Sequence, residues 1–191
     1  MSRIRPLEPP YPDEIQHSFD RIMKGRDPLL LFRTIATSER AWEKFRNGSL
    51  LDRGPLTLRD REIVINRTTA LANCEYEWGI HVAVYAEHAG FTDEQIAATR
   101  NAGAAAPCWS EAEQALVMTV DALHTRATLD RTEFDQLRKH YDDSQILEIL
   151  MLCGFYRTVS YVANALELPL EAIGRRFPPR DQSYSASAEP G

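Results

Sequence analysis

Residues 73–96 read NCEYEWGIHVAVYAEHAGFTDEQI. Asn73 is a residue type that caps helix starts, and Gly90 is one that closes helix ends. Thr92 followed by Gln95 is spaced as a capping box for a further helix. Each helical residue turns about 100°, so relative to Cys74 the side chains of Glu77, His81 and His88 fall near −60°, about −20° and about −40°. One thiol, one carboxylate and two imidazoles are therefore predicted to share a face. Trp78, Val82, Tyr85 and Ala89 form an apolar arc beside them, and Gly79, Ala83 and Ala86 make a small-residue seam on the far side, open to a second helix.

The segment before it carries a matching stripe. Residues Thr57, Leu58, Arg59 and Asp60 precede REIVINRTTALA and cap that run at its start, and Arg59, Glu62, Asn66 and Thr69 recur at i, i+3, i+7 and i+10. The corner at residues 71–73 turns this stripe toward the Cys74 helix. Elsewhere, Asp27-Pro28 is read as cap and first residue of a helix over LLLFRTIATSERAWEKFRNGS. Ser110 with Glu113 forms another capping box, Asp130 caps RTEFDQLRKHY, and Asp143 or Ser144 opens ILEILMLCGFYRTVSYVANALEL. No stretch sustains the alternation of a half-buried strand. The fold class predicted is all-α, a single-domain bundle of about eight helices over 13–176. An extended N-terminal arm covers 1–12, and a disordered tail covers 177–191, where prolines and small polar residues crowd.

The 191 residues, 43% hydrophobic, suffice for one real core. Net charge is −6, so the basic footprint of a nucleic-acid partner is missing. No run approaching the roughly 20 apolar residues of a membrane span stands out, and no secretory leader is evident. Cys74, Cys108 and Cys153 are odd in number and widely separated, which argues against a disulfide framework. The chain is expected to be cytoplasmic, with reduced thiols.

Cys74 at a helix start meets unpaired N–H groups and a dipole that favour a thiolate. His81 can relay a proton, with Glu62 or Glu77 to orient it. Buried cysteines are commonly inert, and Glu–His pairs at i, i+4 commonly decorate surfaces. A polar row inside an apolar helix, however, costs free energy unless it is paired or functional.

Glu62, Cys74 and His81, separated by 12 and 7 positions, resemble the Glu…Cys-x-x-Cys-x-x-x-His pattern of the carboxymuconolactone decarboxylase and alkylhydroperoxidase D-like superfamily. The text of 73–96 is similar to that superfamily's core motif, and YDDSQILEILMLCGFYRTVSYVANALELP resembles its closing helix. The resemblance implies an all-α fold that assembles into homo-oligomers, often trimers or hexamers. In its peroxidase branch the second cysteine of the pair attacks peroxide and the first resolves the product. Glu77 occupies that second position here, and a carboxylate forms neither sulfenate nor disulfide. In the decarboxylase branch the substrate is a small lactone acid, with no metal or organic cofactor.

The catalytic set expected is therefore His81, Glu62, Glu77 and Cys74, with Arg59, Asn66, Tyr85 and Arg157 as substrate-binding candidates. Arg157 shares its helix face with Cys153, Ser160 and Asn164 and needs an anion. A protein carboxylate is its ordinary partner and an organic acid the other. No metal is expected, because HExxH spacing is absent and two turns separate His81 from His88. His124 and His140 read as surface residues near helix ends, and Trp42, Trp78 and Trp109 as core or interface aromatics.

Small-molecule chemistry is the expected activity: a cofactor-independent decarboxylase or lyase on a small organic acid or lactone. The alternatives are a peroxiredoxin-like thiol peroxidase using Cys74, and a non-catalytic oligomeric protein that binds a small acid. Neither nucleic acid nor membrane is an expected partner.

Overall fold

The computed structural model describes residues 2–180. Among them are nine α-helices and no strand: α1 (Asp13–Met23), α2 (Leu30–Ile35), α3 (Glu39–Gly48), α4 (Leu58–Leu71), α5 (Glu75–Tyr85), α6 (Asp93–Asn101), α7 (Glu111–Arg126), α8 (Arg131–Arg138) and α9 (Asp143–Ala165). A short 3₁₀ turn, Gly103–Ala105, links α6 to α7.

α4 is the axis of the bundle and packs against α5, α6, α7 and α9. Every residue from Glu62 to Ala70 is buried, so the helix has no wet side and its polar groups must find partners inside. Arg67 donates to Asp121 at 2.6 Å and to the Thr99 carbonyl at 2.9 Å. The Asn66 amide donates to the Glu62 carbonyl, and the Thr69 hydroxyl to that of Ile65. Around this axis Ile63, Ile65, Leu116, Val117, Ile149, Leu152 and Tyr156 form the main core.

A second, smaller core gathers Ile15, Phe19, Ala36 and Trp42 from α1–α3. Its aromatic rings run from Tyr11 through Phe19 and Trp42 to Phe45, which meets Phe155 of α9 at 5.4 Å. That contact fastens the N-terminal helices over one flank of the bundle. Residues 2–12 precede them without helix; the backbone of Leu7 bonds to Arg33 and that of Arg3 to Leu166.

Local signals met their structures unevenly. Thr57, Thr92, Ser110 and Asp130 cap α4, α6, α7 and α8, the last three as complete capping boxes. The segment expected as one helix from Asp27 is two, because Ser38 accepts from the Ala41 amide and starts α3 afresh. Asp27 caps neither; Leu29 precedes α2 without a side-chain bond. The cap of α9 is Asp142, one residue before the expected Asp143, because the box partner is Gln145. Asn73 is not a cap: at φ 51° it is the left-handed corner residue, a conformation Asn tolerates. Cys74 is the N-cap of α5, with no side-chain bond to the helix start.

α9, contrary to the sequence reading, is long and apolar enough to cross a membrane by length and composition, with 23 residues and mean hydropathy 1.4. It is the core helix of this bundle, burying Ile146, Ile149, Leu152, Tyr156, Val159 and Ala163. The seam on α5 is covered by the chain's own C-terminal segment. The Arg175 amide donates to the Gly79 carbonyl at 3.0 Å, and a Cβ on Gly79 would lie 2.3 Å from the Arg175 carbonyl oxygen. The packed chain also runs past 176. Phe177 lies 5.0 Å from the Trp78 ring and its amide donates to Glu75. Residues 181–191, the rest of the expected tail, lie outside the described residues.

Candidate active site

α4 and α5 bring Glu62 and His81 together from 19 positions apart. His81 Nδ1 lies 2.7 Å from Glu62 Oε2, and His81 Nε2 lies 3.4 Å from Glu77 Oε1, one turn earlier on α5. All three side chains are buried, Glu62 completely. Arg61 Nε approaches the other Glu62 oxygen at 3.4 Å, within ion-pair range but without hydrogen-bond geometry. The second oxygens of Glu62 and Glu77 have no hydrogen-bond partner. Tyr156 of α9 stands edge-on to the imidazole at 5.0 Å, and Tyr85 tilts against it at 5.2 Å.

Burial alone would discharge this histidine, but Glu62 and then Glu77 outweigh it and push its pKa up to about 9. At neutral pH the ring is an imidazolium clasped by two carboxylates.

The cluster forms the floor of a cavity of about 490 Å³ between α5, α9 and the N-terminal helices. His81, Glu77, Tyr85 and Tyr156 line it, whereas Glu62 lies behind the imidazole. Leu29, Phe32, Phe45, Val84 and Phe155 make apolar walls. Arg21 and Arg26, beside and just past the end of α1, and Arg46 of α3 also line it. Among the described residues none of these three arginines has a carboxylate within 4 Å, and the Arg46 Nε is buried without a partner. An imidazolium with basic neighbours on an apolar wall can bind an organic anion and hand it a proton.

The Carboxymuconolactone decarboxylase family model matches residues 36–121, from just past the end of α2 through most of α7. The solved structures agree in architecture. An uncharacterized peroxidase-related protein from Ralstonia eutropha JMP134, an alkylhydroperoxidase AhpD core, superposes with TM-score 0.79 at 18% identity, over 90% of this chain and 93% of its own. One from Silicibacter sp. TM1040 gives 0.76 at 19%, over 90% and 96%. Residues 36–121 of this chain thus resemble that family in sequence, and the chain as a whole has the fold of an alkylhydroperoxidase AhpD core.

A debrominase is also among the structures similar to this chain. The debrominase Bmp8, in complex with 2,3,4-tribromopyrrole, superposes with TM-score 0.72 at 17% identity, over 91% and 94%. At such identities these likenesses show the fold. No protein of curated function matches the sequence.

Several residues singled out from the sequence lie elsewhere. Arg59 is bound to Glu113 at 2.5 Å and to the carbonyls of Ala89 and Gly90, so it ties α4 to the turn after α5 and to α7 rather than reaching the cavity. Asn66 is enclosed in α4. His88 is exposed, because α5 ends at Tyr85. Arg157 lies against His124 and Tyr161 beside a different cavity, and His124 is half-buried there rather than on the surface.

Cys74 is completely buried and does not line the cavity. Burial pushes its pKa up to about 11; amide bonds from Glu77 and Tyr76 oppose this, while the Glu77 charge adds to it. The helix start does supply N–H groups, yet burial outweighs them, and the thiolate expected from sequence is absent at neutral pH. Sequence reading missed Tyr156 and the arginines of α1–α3, which carry no motif. Among the described residues no three His, Cys, Asp or Glu side chains are placed to hold a metal ion.

Proposed function

We propose that this protein is a cofactor-independent acid–base enzyme of decarboxylase or lyase type, acting on a small organic acid or lactone. The observation that carries the proposal is the His81 imidazolium between Glu62 and Glu77 on the floor of an apolar, arginine-lined cavity.

The contacts support a division of roles. Glu62, closer and fully buried, fixes the Nδ1 side of the ring. Nε2 faces Glu77 across a looser 3.4 Å contact on the cavity side, so a substrate oxygen or carbon can take Glu77's place. When a carboxyl group departs as carbon dioxide, the electron pair it leaves must receive a proton. His81 Nε2–H is suited to give it, leaving a neutral ring that takes its proton back from solvent, and the negative charge of Glu77 favours that return. Arg21, Arg26 and Arg46 hold the substrate carboxylate or its second acid group.

A thiol cycle on Cys74 finds less support, because that thiol is enclosed and its pKa raised. The test is a screen of aromatic and unsaturated carboxylic acids and their lactones for carbon dioxide release or ring opening, followed by variants. His81→Asn is expected to lose roughly 10²–10⁴-fold in kcat, Glu62→Gln to fall similarly, and Cys74→Ser to stay within about threefold of the parent. Turnover that vanishes in Cys74→Ser and survives in His81→Asn would overturn the proposal in favour of thiol chemistry.

A further inference from the structure

We propose that the cavity between α4, α7 and α9 is a second ligand site, which takes a small monocarboxylate with a short apolar body on Arg157. This cavity, about 340 Å³, shares no lining residue with the one over His81, and the proposal stands independently of the reaction assigned there.

Arg157 enters an otherwise apolar stretch of α9 and is half-buried. The ordinary solution, a protein carboxylate, is not used: among the described residues none lies within 4 Å of its guanidinium. Arginines on α4 and α7 do find acids. Arg67 takes Asp121 at 2.6 Å, Arg59 takes Glu113 and Arg126 takes Glu133. Arg157 instead donates from Nε to the Tyr161 hydroxyl at 2.9 Å and from Nη1 to His124 Nδ1.

A guanidinium only donates, so His124 Nδ1 must accept. That imidazole is therefore neutral, in keeping with burial and the Arg157 charge, which hold its pKa below the ordinary value. Neither partner compensates the positive charge. Of five N–H groups, the three remaining have no protein acceptor among the described residues.

What surrounds the free side of this fork fits an amphipathic anion. Val120, Leu123 and Leu150 supply apolar wall. The Thr68 hydroxyl, buried, has only the weakly bonding Cys153 thiol beside it. A carboxylate matches the planar fork in two parallel hydrogen bonds. One cation and apolar walls favour a single negative charge, since a dianion would bring a second, unpaired charge out of water. The volume is at the small end for ligand cavities, which suits a short alkyl or aryl acid.

The experiment is calorimetric titration of the purified full-length chain with hexanoate, using hexanamide as the uncharged match. The parent and the surface control Arg131→Gln, which removes one positive charge elsewhere, are expected to bind hexanoate. Arg157→Gln is expected to weaken this site about tenfold or more, and hexanamide to give no comparable binding. Thr68→Val, a nearly isosteric change that keeps the core filled, is expected to weaken hexanoate about threefold, and it decides the matter if Arg157→Gln does not fold. Hexanoate affinity and stoichiometry unchanged in Arg157→Gln, or in Thr68→Val where that variant decides, would overturn the proposal. So would equal binding of hexanamide, or no hexanoate binding by the parent.

Discussion

At the scale of single residues, His81 sets the behaviour of the site and carries a pH signature. Its pKa in the folded chain is raised to about 9, against about 6.5 unfolded. A raised pKa means that the charged ring stabilises the fold fully below about 6.5 and loses that contribution as pH climbs through about 9. Urea unfolding of the parent is therefore expected to show stability falling between about pH 6.5 and 10 by more than in His81→Asn. Equal slopes in the two proteins would count against the ion cluster. Cys74 has the opposite character: iodoacetamide at pH 7.5 is expected to leave it unmodified in the folded chain and to modify it after unfolding. Rapid alkylation of folded protein at Cys74 would revive the thiol mechanism. The Glu62–Cys74–His81 spacing was legible because α4 and α5 meet at one tight corner. The destinations of Arg59 and Asn66 were not, because periodicity assigns a face and says nothing of what a neighbouring helix offers to that face.

At the scale of elements, ends and close approaches decide the outcome. The capping boxes at Thr92, Ser110 and Asp130 were readable because the acceptor and its Glu or Gln partner are both local. Asp142 was missed by one residue, since Asp142, Asp143 and Ser144 are all competent caps and Gln145 alone selects among them. Asp142→Ala is expected to cost about 1 kcal/mol, while Asp143→Ala should cost less; denaturant midpoints separate the two. Gly79 looked like a seam for another helix, yet the backbone of residue 175 fills it. Gly79→Ala is accordingly expected to destabilise by about 1–3 kcal/mol and to increase proteolysis near residues 174–177. A variant as stable and as resistant as the parent would show that this contact is not close.

At the scale of the whole molecule, the candidate site is composite. The motif on α4 and α5 supplies the acid–base groups, α9 adds Tyr156, and the separate aromatic core of α1–α3 brings Arg46 and the arginines at the end of α1 over them. The all-helical class followed from patterning alone. Docking of α1–α3 onto the Phe155 flank did not, since amphipathic helices declare that a face is buried without naming its partner. Assembly belongs to this scale too. Leu147 and Met151 on α9 and Met118 on α7 are exposed, and we propose a homo-oligomer, trimer or hexamer in keeping with the superfamily resemblance. Light scattering at micromolar concentration is expected to give a mass at least three times that of one chain, and a stable monomer would contradict it.

The behaviour of the site turns on His81 as a cation held between Glu62 and Glu77 in a sheltered cavity. Its most direct measurement is an NMR titration of the His81 ring in the parent and in Glu62→Gln. The expected result is a midpoint near pH 9 in the parent that drops markedly when Glu62 loses its charge. A parent midpoint at or below about 6.5, unmoved by Glu62→Gln, would contradict it.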